Sequence, residues 1–140
     1  MARGRAHPLR LTAVPEPLEH ATQRAICRTL GYEIAPPGRI SADGVCWLAI
    51  DHAQIVPRSM QDRGVIPGIP DVLILWRGAH FWIEIKRYGP AAVLSPEQQA
   101  LIPHLIGAGD KVGLVRDVGE TLLLLDAWSI PRRRRVTVTA

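Results

Sequence analysis

The sequence predicts a single α/β domain: a mixed β-sheet of about four to five strands flanked by helices. Three observations predict it. Two aliphatic runs, Asp71–Trp76 and Phe81–Lys86, bracket Arg77-Gly78-Ala79-His80 and read as a β-hairpin. Apolar residues recur at helical spacing over Pro17–Leu30 and again after Ser95. The chain has 140 residues, enough to bury one core and too few for a second of any size.

The elements follow in order. In Pro17–Leu30 the apolar stripe is Leu18, Ala21 and Ala25 beside the row Thr22, Ile26 and Leu30, and Gly31 is the expected stop. Glu19 and Gln23 stand one turn apart along the row to Ile26, where they can face a site at the sheet's edge or simply be an exposed polar pair. Val45–Ile50 reads as the first strand. The polar stretch Asp51–Pro67 reads as a long loop, with Arg58 and Arg63 as candidate substrate-phosphate contacts or solvated charges.

After the hairpin, Ser95-Pro96-Glu97-Gln98 has the grammar of a helix start: a hydroxyl cap, proline at the first position and an acid in the first turn. Leu101, Ile102 and Leu105 give that helix its buried face, and Gln98 is either merely exposed or a group that reaches water or phosphate. Val112–Val115 and Thr121–Leu125 are expected as two further strands, their continuous apolar character suiting burial on both sides. Trp128 and Ile130 are expected to fold back on the core before Pro131 ends the ordered chain.

Charge is concentrated at the two ends. Arg3, Arg5, Arg10 and Arg132 to Arg135 are seven cations in two terminal segments that hold no acid, so the formal +4 of the whole chain becomes −3 for the middle. Basic arms on a mildly acidic core suit nonspecific phosphate contacts, although such arms can also be solubilising tails. The expected organisation is a basic arm at 1–15, a domain at 16–130 and an arginine-rich tail at 131–140.

Cys27 and Cys46 stand alone in apolar segments and five histidines are scattered, so neither a disulfide framework nor a zinc site is expected. With no signal-peptide core and no membrane-length apolar run, a soluble intracellular protein with no membrane partner is expected. There is no Walker-type or dinucleotide glycine loop, which argues against nucleotide hydrolysis and Rossmann chemistry.

The chemistry-bearing cluster is Asp71, Glu84 and Lys86. If Arg77–His80 form the hairpin loop, Trp76 lies opposite Phe81, Leu73 opposite Glu84 and Asp71 opposite Lys86, which puts all three charged residues on one face. Two carboxylates and an ammonium at a sheet end suit a divalent cation and attack on a phosphodiester. Taken alone, Pro-Asp is also ordinary turn punctuation and Glu-x-Lys an ordinary solvated face. Charge beside Trp82 and Ile83 is nevertheless costly unless something compensates it.

Four segments in this order resemble one family: Glu19-His-Ala-Thr-Gln23, Gly64-Val-Ile-Pro-Gly-Ile-Pro-Asp71, Ile83-Glu84-Ile85-Lys86, and Leu94-Ser-Pro-Glu-Gln98. Together, from about Leu18 to Trp128, they resemble the VRR-NUC (virus-type replication-repair nuclease) domain of the PD-(D/E)XK nucleases, a module similar to Holliday-junction resolvases. The terminal arms lie outside the resemblance.

The resemblance implies a restriction-endonuclease-like core and metal-dependent hydrolysis of DNA, often at junctions or flaps, in phage-type replication, recombination or repair. It also implies a homodimer in the small stand-alone members and a phage or bacterial setting. By the same resemblance Asp71, Glu84 and the Ile85 carbonyl hold Mg²⁺ or Mn²⁺, Glu19 completes the outer shell with Glu16 as the competing acid, Lys86 acts on the attacking water, and Gln98 positions water or phosphate. Arg58, Arg63, Arg87 and Arg132, Arg133, Arg134 and Arg135 are the expected DNA contacts. Two alternatives stand beside this reading: a non-catalytic DNA-binding accessory on a nuclease fold, and an interaction module using its hydrophobic strands and tryptophans.

Overall fold

The computed structural model describes residues 18–50, 67–89 and 93–133. The N-terminal arm, Glu16, the segment carrying Arg58 and Arg63, and Arg134 and Arg135 lie outside the described residues. The order is α1 (Leu18–Glu33), β1 (Cys46–Ala49), β2 (Val72–Trp76), β3 (Ala79–Ile85), α2 (Pro96–Gly107), β4 (Lys111–Val115) and α3 (Val118–Ala127).

The four strands form one mixed sheet in the order β1-β2-β3-β4, the first two pairings antiparallel and the last parallel. A parallel pair needs a crossover, and α2 supplies it between β3 and β4. Among the described residues no helix is long and apolar enough to cross a membrane.

One face of the sheet carries Val72, Ile74, Phe81, Ile83 and Ile85, all buried. Ile26 and Leu30 of α1 and Leu125 of α3 join them in one core, and α1 packs on both α3 and β3. Trp128 and Ile130 return to this core as expected, Trp128 setting its ring 5.2 Å from that of Phe81. Helix α1 runs two residues beyond Gly31, and the Trp47 indole just past it donates to the Ala35 carbonyl at 2.6 Å.

Two expectations are corrected. Thr121–Leu125 is the middle of α3 and not a strand. Asp117 caps this helix by accepting from the Glu120 N–H at 2.7 Å, and leucine is a strong helix former, so the run turns with helical period. Thr121 and Leu125, four apart, are buried, while Leu123 between them is exposed, a pattern that strand alternation forbids.

The hairpin is also tighter than expected. Its turn is Arg77-Gly78 alone, with φ of 49° and 73°, the pair of positive values a two-residue type I′ turn requires. Trp76 therefore pairs with Ala79, Leu73 with Trp82 and Val72 with Ile83.

Candidate functional site

The corrected register moves the pairing by two residues. Because strand side chains alternate with period two, such a shift leaves every residue on its expected face. Glu84 alternates with the buried Ile83 and Ile85, so it lies on the side of the sheet away from the aliphatic core. Asp71, just before β2, is bonded to the Ile85 N–H and near enough for its charge to act on Glu84. Lys86 follows at the strand end, its backbone N–H donating to the Val115 carbonyl at 2.9 Å.

Both acids are buried, Asp71 at 6% and Glu84 at 2% exposure. Burying ionised groups is costly unless they are paired, and each is compensated differently. Asp71 Oδ2 accepts from the Ile85 backbone N–H at 2.7 Å, while the Asp71 carbonyl accepts from the Ile50 N–H at 2.8 Å, tying the residue to β3 and to the end of β1. Glu84 Oε1 lies 3.3 Å from the Lys86 ammonium, whose side chain keeps 15% of its exposure. Glu84 Oε2 is buried with no hydrogen-bond partner among the described residues.

The electrostatic result is a carboxyl group that keeps its proton well above the usual carboxylate range. Burial first, and the Asp71 charge second, push Glu84 up to about 7, while Gln98 and Lys86 oppose that rise. A group in this state gains from any cation that shares its orphaned oxygen.

Gln98 is buried, contrary to the exposed alternative. It sits in the first turn of α2, and its backbone N–H donates to Ser95 Oγ at 3.2 Å while its Oε1 accepts from the Ser95 N–H at 3.1 Å, a reciprocal capping box. With its oxygen committed to the cap, its amide NH₂ is the end left to ease the charge on Glu84. The Ser-x-x-Gln spacing was the signal for this lock. Gly68 seats the turn before Asp71 on the same helix start: at φ 92° it lies so close that a Cβ would fall 2.9 Å from the Glu97 carbonyl carbon.

Cys27 of α1 was not anticipated as a neighbour of the site. Burial pushes its thiol up and the Asp71 carboxylate adds to the effect, so this row of α1 feels the Asp71 charge. Gln23 and Glu19 precede Cys27 on that row by one and two turns, Gln23 half-buried, the Glu19 side chain outside what the structure describes.

The basic residues divide. Arg87 is exposed directly after Lys86. Arg132 is drawn inward, its Nε 3.3 Å from Asp126 and 3.9 Å from Glu33, and the Arg133 N–H donates to the Glu33 carbonyl at the end of α1. Arg132, expected as a DNA contact, is thus already in ion pairs on this surface.

Among the described residues no group of three or more His, Cys, Asp and Glu side chains is arranged to hold a metal. Asp71 and Glu84 supply two hard oxygen donors, so an ion here takes its remaining ligands from backbone carbonyls, water, substrate or a further acid. No family model, curated protein or solved structure matches the chain.

Proposed function

We propose that the chain is a Mg²⁺- or Mn²⁺-dependent deoxyribonuclease of the VRR-NUC type, acting on DNA that includes branched forms. The observation that carries this reading is the buried Asp71–Glu84 pair with Lys86 at 3.3 Å from Glu84. The resemblance of the four sequence segments supports it, as does the order of one helix, three antiparallel strands, a helix and a parallel strand.

The residues present fit a hard divalent cation. A buried carboxylate oxygen without a partner, beside a second carboxylate, is a donor set that a cation stabilises. Asp71, Glu84 and the Ile85 carbonyl would hold it, with Glu19 or Glu16 in the outer shell. When bound, the ion supplies Lewis-acid polarisation of the scissile phosphate.

The chain's own groups do the rest. Lys86, held by Glu84 at the open end of the strand, orients the attacking water and offsets the negative charge that grows on phosphorus-bound oxygens. Gln98, fixed by its cap, holds a second polar contact beside Glu84 without needing to reorganise. Asp71 is fixed by the Ile85 N–H, so the carboxylates are positioned before substrate arrives.

The test uses labelled linear, flapped and four-way DNAs with Mg²⁺, Mn²⁺ or chelator. Metal-dependent cleavage by the wild type, lost in Asp71→Asn and Glu84→Gln, is the expected result. Lys86→Ala should lose turnover by several orders of magnitude while keeping DNA affinity. Unchanged cleavage by Asp71→Asn across a metal titration overturns the assignment.

A further inference from the structure

The parallel pairing of β3 with β4 brings two strand ends out side by side, Ile85 beside Val115. Residues just beyond these ends meet on the surface: Tyr88 after β3 with Arg116 and Asp117 after β4. Tyr88 is 63% exposed, yet its hydroxyl donates to the Asp117 carboxylate and the Arg116 guanidinium lies 5.9 Å from its ring centroid. An exposed tyrosine of this kind is anchored at its tip, with Arg116 over one face of its ring.

The nearby acids are already engaged. Asp117 caps α3 through the Glu120 N–H, and Glu120 accepts from the Arg116 N–H at 2.7 Å and lies 3.7 Å from its guanidinium. That leaves the ring as the feature presented outward, with Arg87 exposed beside it. Tyr88 is two residues beyond Lys86, so their Cα atoms are at most ~7 Å apart.

We propose that Tyr88 is the stacking platform for one unpaired DNA base next to the phosphate cleaved at Asp71, Glu84 and Lys86, with Arg87 contacting the same strand's phosphates. The inference rests on the nuclease reading of that site. Inside a duplex both faces of a base are covered by its neighbours, so a protein ring can stack only on a base that is unpaired or terminal. Because every base has such a face, the platform selects for strand structure and not for sequence. Anchoring by Asp117 means the ring gives up little rotational freedom on stacking.

The test measures affinity of the full chain for two DNAs of one sequence, with Ca²⁺ as the cation. The first is a duplex closed by hairpins at both ends; the second carries a three-nucleotide single-stranded branch. Wild type should prefer the branched DNA. Tyr88→Ala should weaken binding to the branched DNA by about 5- to 150-fold and leave closed-duplex binding unchanged, the latter also reporting that the fold is intact. Tyr88→Phe keeps the ring and should keep most of the preference. Equal effects of Tyr88→Ala on both DNAs, or none on either, overturn the platform while leaving the nuclease reading standing. If the wild type binds neither DNA, the nuclease reading itself falls.

Discussion

Asp71 and Ile85 are joined by a 2.7 Å hydrogen bond from the Ile85 backbone N–H to the Asp71 carboxylate, so the first acid of the pair is also part of what holds its strand to the second. Glu84 bonds no backbone in this way: its Oε1 faces Lys86, and its Oε2 is buried without a partner among the described residues. The two carboxylates therefore differ in what their removal does to stability. Asp71→Ala leaves a buried N–H unsatisfied and should cost about 1–3 kcal/mol. Glu84→Gln removes a buried charge and should hold or raise stability at about pH 8, above the raised carboxyl's titration range. Urea unfolding in chelator checks this, and equal losses in the two variants would refute it.

The pH dependence comes from the same residue. Glu84 titrates at about 7 in the folded chain against 4.5 ordinarily. Between those values the native state binds more protons than the unfolded one, so this group's stabilisation is complete below the ordinary carboxylate range and is lost as pH rises through about 7. At about 1.36 kcal/mol per pH unit the loss is on the order of 3 kcal/mol. The stability difference between wild type and Glu84→Gln, measured without metal from about pH 4 to about pH 8 so as to bracket both values, isolates it. A difference that does not change with pH would show that Glu84 titrates normally.

Gly68 is predicted to matter for both fold and site. At φ 92°, with backbone of Glu97 2.9 Å from where a Cβ would stand, alanine adds conformational strain and a clash that no side-chain rotation relieves. Together these should cost about 2–5 kcal/mol. Because Asp71 lies three residues on, cleavage should fall further than stability explains. A Gly68→Ala protein with wild-type melting temperature and activity would refute the close packing of this turn on α2.

The helical assignment of the leucine run gives an opposed pair of substitutions. Leu125→Ala, at 0% exposure, should cost about 2–5 kcal/mol. Leu123→Glu, at 71% exposure, should change stability by no more than about 0.5 kcal/mol. A strand would bury both, so comparable losses in chemical denaturation would favour the strand.

These residues also show what the sequence made legible. Helical periodicity placed α1 and α2, and bounded aliphatic runs placed β1 to β4. Periodicity failed at Thr121–Leu125 because four consecutive leucines carry no period of their own, and the signs of a helix lay before the run, in the cap at Asp117 and the acid at Glu120. The hairpin register was missed because Arg77-Gly78 takes a turn usually marked by Asn-Gly, but an error of two residues preserves faces, so Asp71, Glu84 and Lys86 still fell together. Nothing in the spacing could have located Cys27 near Asp71 or drawn Arg132 to Glu33, since both depend on how α1 lies on the sheet and meets the chain's end.

The placement of Arg132 changes what the arginine tail should do on DNA. Four free arginines would lower the slope of log affinity against log salt by roughly 0.9 each on duplex DNA. Arg132 already pairs with Asp126 and Glu33, and the Arg133 N–H caps the Glu33 carbonyl, so moving Arg132 to a phosphate means giving up existing partners. Truncation after Arg133 should flatten the slope by up to about 2 units. Truncation after Pro131 should add little further flattening and instead destabilise the fold, because it strips the end of α1 of both contacts. Potassium chloride titrations on a hairpin-closed duplex separate the cases: a slope change of about 4 for the longer truncation would mean that DNA pulls Arg132 away from Glu33 and Asp126.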